Sequence, residues 1–320
     1  MPSIFLPAKR LRRALFGCAA LVLAAHASAA EVLQIGDQSG LVQALLQAAG
    51  QARPDSDRWH PFSAGPALLE ALNSGAIDVG VVGNAPPVFA QAGGSAVRII
   101  GVAEGAQNNN ALLLPAGSSV QRVADLKGRR IAVAKGSSGH YLVLAALHEA
   151  GLEPRDVELA YVSPVDAQNA FASGHVDAWA VWYPYVGQAV AQGARVLVDG
   201  SPWPESGLSF AVASQQALAD PQRSVQLAEL LGRLARAQDW ATAHPAEWAV
   251  ALAAATHLPL ALVQDMLAHQ HLRYVPIDAG IIALQQHLAD AFAAARLIPR
   301  PVQVQTLFDA DFNGALPAPH

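Results

Sequence analysis

The sequence predicts an α/β protein built from two related halves. A self-comparison relates the stretch 69–87 to the stretch 168–185, with matching positions 99 residues apart. In each copy an amphipathic run ends at a glycine, and a β-rich run and a proline-containing turn follow. Strands that alternate with helices are typical of mostly parallel sheets covered on both faces. The identical positions are Ser74 and Ser173, Gly75 and Gly174, Asp78 and Asp177, and Val82 and Val181.

The elements upstream of the two copies also correspond. Each half begins with a short apolar strand, a small polar loop, a helix and a second strand, so each half has the order β–loop–α–β–α–β. The first half has a strand at 32–35, a loop at 36–40, a helix at 41–51 and a strand at 59–62. The second half has a strand at 130–134, a loop at 135–139, a helix at 140–150 and a strand at 157–162.

The remainder of the chain is mainly helical. Two more strands are expected at 195–198 and 210–213. The later segments carry apolar residues at intervals of three and four, with a proline or a capping residue near the start. Helices are predicted at 225–243, 245–256, 259–269 and 278–295.

Composition excludes several classes of protein. Hydrophobic residues make up 52% and charged residues 14% of 320 residues, which excludes a disordered chain. Removing the four basic residues among the first thirty takes the net charge from −5 to −9, and no basic cluster remains. An acidic surface does not attract phosphate backbones, so we expect no nucleic-acid partner.

The first thirty residues have the layout of an export signal. A basic stretch, Lys9–Arg13, precedes an apolar run and an Ala27-Ser-Ala29 cleavage site. Arg12-Arg13 leaves twin-arginine export open beside the general route. Cys18 is the only cysteine and lies within the signal, so the mature protein has no disulfide and no thiol nucleophile. These features predict a periplasmic protein.

The loop Lys135–His140 is the main candidate for a binding site. It joins a buried strand to a helix, where ligands lie in parallel α/β sheets. Gly136, Ser137 and Ser138 let backbone N–H groups approach an anion, and the helix dipole favours negative charge. A simple helix cap is the alternative for this loop. The sequence lacks the phosphate-loop, nucleophile-elbow and H-E-x-x-H motifs, so no cofactor, metal or catalytic serine is expected.

Two tryptophans lie three residues apart in the second repeat. Residues at this spacing face opposite sides of a strand. We expect Trp179 in the core and Trp182 at the cleft, since Trp182 occupies the place of Gly83 in the first repeat. The repeated Asp78 and Asp177 are interpreted as turn caps rather than functional carboxylates.

Five blocks together resemble the periplasmic aliphatic-sulfonate binding proteins of ABC importers. They are Phe62–Pro66 with Leu69–Leu72, Gly83–Gly93, Val123–Gly128, Val133–His140 and Asp177–Tyr185. The resemblance implies a type II periplasmic binding protein with two α/β lobes, each a mostly parallel sheet flanked by helices, joined by two crossover hinge strands. Lobe 1 would comprise residues 31–111 and 214–320, and lobe 2 residues 112–213. The crossover strands are expected near 111–114 and 210–213.

The resemblance also implies a function and a set of ligand contacts. The expected function is capture of an aliphatic sulfonate between the lobes by a monomer, without catalysis, and delivery to an ABC transporter permease. Many relatives carry acids at the positions of Asn84 and Tyr183, and their loss favours a plain sulfonate over taurine. Nitrate, taurine or a thiamine-precursor pyrimidine remain alternatives, as does an enzyme on the same scaffold. The expected ligand-binding residues are Gln38, Gly65, Asn84, Ala85, Gly136, Ser137, Ser138, His140, Trp182 and Tyr183.

Overall fold

The computed structural model describes residues 32–38, 40–268 and 272–317. The expected export signal, residues 1–30, lies outside these ranges. No helix within these ranges is long and apolar enough to cross a membrane.

The segment from residue 32 to residue 104 alternates strands with helices, as the pattern predicts. Its elements are β1 (Leu33–Gln38), α1 (Leu41–Ala48), β2 (Asp57–Phe62), α2 (Gly65–Asn73), β3 (Val79–Gly83), α3 (Ala85–Ala92) and β4 (Arg98–Glu104). Strand β4 was not expected from the sequence. Helix α1 ends three residues before the expected end at Gln51.

The next segment begins with a strand, β5, and then repeats this order of strands and helices. Its elements are β5 (Asn110–Leu114), β6 (Arg130–Val133), α4 (Ser138–Glu149), β7 (Glu158–Tyr161), α5 (Pro164–Ala172), β8 (Ala178–Trp182), α6 (Tyr185–Ala191) and β9 (Arg195–Asp199). Strands β3 and β8, the equivalent strands of the sequence repeat, are again separated by 99 residues.

The last segment is mainly helical. Its elements are β10 (Leu208–Ala213), α7 (Gln215–Ala219), α8 (Pro221–Ala243), α9 (Pro245–Thr256), α10 (Leu260–Ala268), β11 (Arg273–Val275) and α11 (Ala279–Ala294). Helix α8 begins four residues before the expected Val225, because the Asp220 carboxylate accepts hydrogen bonds from the backbone N–H groups of Gln222 and Arg223. The short strand β11 was missed in the sequence.

The strands form two sheets of the same design. The first has the order β11-β4-β10-β3-β1-β2, and the second has the order β7-β6-β8-β5-β9. In each sheet three neighbouring strands are parallel, and one crossover strand runs antiparallel to both of its neighbours. That strand is β10 in the first sheet and β5 in the second. The predicted two-lobed architecture with mostly parallel sheets and two crossover strands is confirmed.

The chain passes between the sheets twice, through residues 105–109 and 200–207. Strand β10 pairs with β3 and β4, so residues 208–213 belong to the first sheet and not to lobe 2, where the sequence analysis placed them. Residues 110 and 111 pair with β8 of the second sheet and not with lobe 1. Membership of a sheet depends on ladder partners, which the sequence of a crossover strand does not reveal.

The two repeated aspartates, Asp78 and Asp177, make equivalent hydrogen bonds to the start of a neighbouring strand. The Asp78 carboxylate accepts a hydrogen bond from the backbone N–H of Gln34 at 2.8 Å, at the start of β1. The Asp177 carboxylate accepts one from the backbone N–H of Arg130 at 2.8 Å, at the start of β6. Each therefore fixes the register of a neighbouring parallel strand, which supports the structural interpretation of these carboxylates.

Candidate functional site

A cavity of about 350 Å³ lies between the two sheets. It is lined by the carboxyl ends of β1, β3 and β8, by the first residues of α2 and α4, and by the crossover segments at 109–110 and 206–209. Residues from both lobes therefore form its walls. This position, at the ends of parallel strands, is where ligands bind in open α/β sheets.

Six of the ten predicted ligand-binding residues line this cavity, and four do not. The lining residues are Gln38, Gly65, Ser137, Ser138, Trp182 and Tyr183. The residues outside the lining are Asn84, Ala85, Gly136 and His140. Neighbouring residues of one loop differ in this respect, since Ser137 and Ser138 line the cavity and Gly136 and His140 do not.

The two serines of the 135–140 loop have different environments. The Ser137 hydroxyl donates to the carbonyl of Ala134 at 2.7 Å and accepts from the backbone N–H of His140 at 3.2 Å, so it caps helix α4. No hydrogen bond of the Ser138 hydroxyl is formed within the described residues. The backbone N–H groups of Ser138 and Gly139 likewise have no acceptor within these residues. Ser138 lines the cavity, so the N-terminus of α4 presents this residue's unused donors to it.

His140 supports the loop from behind. Its side chain is fully buried, and Nδ1 accepts the backbone N–H of Gly136 at 3.2 Å. Burial and the positive charge of Lys135 lower the pKa of His140 to about 4, so the imidazole is neutral at pH 7. Gly136 and His140, which the sequence analysis expected at the ligand, are bonded to each other and do not line the cavity.

Asn84 and Ala85 are also fully buried, behind the cavity wall. The side-chain amide of Asn84 donates to the backbone carbonyl of Glu205, and the backbone carbonyl of Asn84 accepts from the Gln285 side chain at 2.7 Å. The Glu205 carboxylate in turn accepts hydrogen bonds from Tyr141 and from His287, the latter at 2.9 Å. Asn84 belongs to this polar cluster, which ties α4 and α11 to the second crossover. The sequence analysis expected Asn84 at the ligand, but this residue does not line the cavity.

The two tryptophans lie as their spacing predicts. Trp179 is 1% exposed and packs in the core, whereas Trp182 is half-buried and lines the cavity. Tyr183 follows at the same edge, and its hydroxyl donates to Asp265 of α10 at 3.2 Å. This contact joins the second lobe to the C-terminal helices beside the first.

The first lobe provides an opposing wall. The Gln38 amide donates to the carbonyl of Val81 at 2.9 Å, which holds this side chain at the end of β1. Gly65 begins α2, whose N-terminus has no side-chain cap. Gly83, at the end of β3, lies so close to α4 that a Cβ atom there would approach the Ser138 hydroxyl oxygen to 2.3 Å. The two lobes are therefore in contact beside the cavity.

Asp37 is a cavity residue that sequence reasoning missed. Its carboxylate is 2% exposed and accepts backbone N–H groups of Val42 at 3.2 Å and Gln43 at 2.9 Å. Burial raises the pKa of Asp37 to about 6, and these hydrogen bonds oppose part of the shift. The N-terminus of α1 is thus already occupied by an anion of the protein, whereas that of α4 is not.

The crossover segments and the first residues of β5 and β10 supply other residues that the sequence analysis missed, among them Asn110, Ser206 and Ser209. Their local sequence gives no sign of a binding role, because they reach the cavity only when the two lobes fold against each other. No lysine, arginine, histidine or glutamate lines it, and Asp37 is its single charged residue among those the structure describes. Nor do the described ranges contain a cluster of three metal-ligating side chains. Any anion must be bound here by neutral donors and helix dipoles.

Comparison with known proteins identifies the family. The sequence model of the NMT1-like family matches residues 56–256. An Escherichia coli (strain K12) protein named for binding aliphatic sulfonates is 39% identical over 288 residues, which cover 87% of this chain and 88% of that protein. The chain belongs to the family of aliphatic-sulfonate binding proteins.

Solved structures of this family share the fold. The alkanesulfonate-binding protein SsuA from Xanthomonas axonopodis pv. citri, bound to MOPS, has a TM-score of 0.77 and 37% identity, over 87% of this chain and 97% of that one. The periplasmic aliphatic sulphonate binding protein SsuA from Escherichia coli has a TM-score of 0.75 and 37% identity, over 87% of this chain and 91% of that one. The resemblance seen in five sequence blocks therefore extends over nearly all of the described residues.

Proposed function

We propose that this chain is a periplasmic binding protein that captures an aliphatic sulfonate between its lobes and delivers it to the permease of an ABC transporter. The observation that carries the proposal is the N-terminus of α4, where Ser138 lines the cavity with a hydroxyl and a backbone N–H that have no acceptor within the described residues. Both groups can donate hydrogen bonds to the oxygens of a sulfonate. Its family membership supports the same assignment.

The remaining contacts follow from the walls of the cavity. Gln38 and the start of α2 at Gly65 face the ligand from the first lobe, and Trp182 and Tyr183 face it from the second. A ligand that touches both lobes stabilises the closed arrangement by its differential affinity for that state. We take the protein to act as a monomer, with the crossover segments 105–109 and 200–207 as hinges.

Binding without catalysis fits the arrangement of the serines. The Ser137 hydroxyl accepts from the backbone of His140, and the His140 side chain faces Gly136 and Tyr161, so the imidazole next to the cavity serines does not activate them. A sulfonate incubated with the protein should be recovered unchanged.

Taurine is less favoured than a sulfonate without an amine. A primary ammonium needs acceptors, and Asp37, the single carboxylate that lines the cavity in the described part of the chain, already accepts two backbone N–H groups. Calorimetry with ethanesulfonate, taurine, sulfate and nitrate in parallel separates these candidates, since the proposal requires that ethanesulfonate binds more tightly than the other three.

Replacing Ser138 by alanine should weaken ethanesulfonate binding about tenfold, because a hydrogen bond to a charged group contributes about 1.5–3 kcal/mol. The matched control is Ser137→Ala, which removes a helix cap and should lower stability by about 1 kcal/mol. Titration calorimetry and thermal unfolding measure both effects. The proposed contact is refuted if Ser138→Ala binds ethanesulfonate as tightly as the wild type.

Sulfonate affinity should rise severalfold as the pH falls from 7.5 to 5. Above pH 6 the ionised Asp37 opposes an anion in the cavity, and below pH 6 protonation removes that charge. His140 stays neutral throughout this range because its pKa is about 4. In Asp37→Asn the affinity at pH 7.5 should equal the low-pH value of the wild type. Identical pH profiles of the wild type and Asp37→Asn would show that the charge of Asp37 does not affect ligand binding.

A further inference from the structure

The second crossover contains a buried carboxylate that the cavity does not use. Glu205 is 2% exposed, and it does not line the cavity although residues 206–209 do. Its Oε1 atom accepts one hydrogen bond from the Tyr141 hydroxyl and another from His287 Nδ1, the latter at 2.9 Å. Tyr141 belongs to α4 of the second lobe, and His287 belongs to α11, which packs against α3 of the first. One oxygen atom therefore joins the two lobes, and we call these two hydrogen bonds the Glu205 bridge.

The bridge is attached to the helix that carries the proposed sulfonate donors. Tyr141 is buried, and burial together with the hydrogen bond and charge of Glu205 raises the pKa of its hydroxyl, which therefore keeps its proton and donates. Tyr141 follows Ser138 on α4 by about one helical turn. The bridge thus holds the turn of α4 that presents Ser138 to the cavity.

The rest of this contact between the lobes is apolar. Phe292 of α11 is fully buried, and its ring centroid lies 4.8 Å from that of Phe89 of α3 and 6.2 Å from that of Tyr141. Apolar burial is not directional, whereas a hydrogen bond weakens steeply as its distance and angle change. The Glu205 bridge therefore favours one arrangement of the lobes among those that the apolar contact permits.

The favoured arrangement is the one that encloses the cavity. Glu205 lies in the crossover segment 200–207, so a rotation of the lobes about this segment moves α4 relative to α11. Two hydrogen bonds to a single oxygen atom are not both kept through such a movement. In the structure both are formed while Gly83 of the first lobe lies against Ser138 of the second.

We propose that Glu205 is a positioning residue that biases the two lobes toward the closed arrangement and so raises ligand affinity without touching the ligand. The inference rests on the proposed function, since the affinity in question is that for a sulfonate. A smaller population of the closed state weakens the apparent affinity in proportion.

The test compares Glu205→Met with Glu205→Gln. The glutamine Oε1 can still accept both hydrogen bonds, whereas methionine has no oxygen to accept them. In calorimetry Glu205→Met should weaken ethanesulfonate binding about tenfold, while Glu205→Gln should stay within about threefold of the wild type. In small-angle scattering, ligand-free Glu205→Met should have a larger radius of gyration than the wild type, and saturating ethanesulfonate should restore the wild-type value. Equal losses of affinity in the two variants, or equal ligand-free radii of Glu205→Met and the wild type, overturn the proposal.

Tyr141→Phe and His287→Leu break the bridge at its two ends and replace Glu205→Met if that variant does not fold. The His287 side chain is 69% exposed, so its replacement leaves the core intact. Each should weaken binding, and the loss in Tyr141→Phe with Glu205→Met should be no larger than in Glu205→Met alone, because both changes break one bridge. The matched control is Tyr185→Phe, since the Tyr185 ring packs against Trp179 within the second lobe at 5.9 Å, and it should change neither Kd nor radius. Additive losses in the double variant contradict the proposal.

The two proposals fail in different ways. If the wild type binds ethanesulfonate and the bridge variants bind it equally well, the function stands and Glu205 does not position the lobes. If the wild type binds no sulfonate, the proposed function fails, and the ligand-free radii then test the bridge alone. A larger radius in Glu205→Met than in Glu205→Gln supports the bridge in that case, and equal radii reject it.

Discussion

Replacing Arg233 by methionine should lower the free energy of unfolding by about 3–5 kcal/mol, because it leaves the Asp57 carboxylate buried without its charge partner. Arg233 of α8 and Asp57 of β2 are 3% and 8% exposed. Their two hydrogen bonds, Nη1 to Oδ2 at 2.6 Å and Nη2 to Oδ1 at 2.9 Å, form a bidentate pair. Arg233 Nη1 also donates to the carbonyl of Gln51 at 3.1 Å, so one side chain holds α8 against the first sheet.

The chain offers a matched control for this prediction. Glu229 lies one turn earlier on α8 and pairs with Arg53, but both side chains are about half exposed. Glu229→Gln should therefore cost less than about 1 kcal/mol. The double variant Asp57→Leu with Arg233→Met should recover much of the lost stability, since no unpaired charge remains. Urea unfolding measures all three, and a small loss in Arg233→Met alone would show that the pair does not anchor α8.

Replacing Gly83 by valine should weaken sulfonate binding at least about 100-fold, while the protein stays folded. A Cβ atom at Gly83 would approach the Ser138 hydroxyl oxygen to 2.3 Å, so a branched side chain must displace Ser138 or separate the lobes. Either movement separates the ligand donors of α4 from the wall of the first lobe. Losing two charge-assisted hydrogen bonds, at about 1.5–3 kcal/mol each, accounts for this magnitude.

The backbone at Gly83 tolerates a side chain, since it lies in β3 outside the left-handed region. Gly314→Val is the control, because this glycine is exposed and has no atom within 4 Å of a Cβ position. In thermal unfolding both variants should remain folded. In calorimetry with ethanesulfonate, Gly83→Val should lose binding and Gly314→Val should keep it. Retained affinity in Gly83→Val would mean that contact between β3 and α4 is not needed for binding.

The repeat was the most informative signal in the sequence. Matching glycines and aspartates at a separation of 99 indicate equivalent turns, and Asp78 and Asp177 do bind equivalent strand N–H groups. The alternation of strands and helices was also readable, since each element must bury one face. Strand β11 escaped detection because three residues carry too little periodicity.

The site was predictable only in part. The donors of the 135–140 loop could be found, since a glycine- and serine-rich turn before a helix has a local physical meaning. Which of these residues caps the helix and which keeps a free donor could not be predicted from the sequence. Ser137 caps α4 and His140 accepts from Gly136, so of the two serines in this loop it is Ser138 whose hydroxyl has no partner within the described residues. These assignments depend on where each side chain points after packing.

The sequence by itself determined the α/β class, the two related halves and the presence of a donor-rich turn, because periodicity, capping and turn chemistry act over a few residues. Only the tertiary structure decided that β10 joins the first sheet, that Asn84 faces away from the cavity and that Asp37 faces into it. Only the tertiary structure brought residues of α1, α8 and α9 to the cavity. Such features arise from contacts between residues that are distant in the chain, and a local sequence pattern does not indicate which distant residues it will contact.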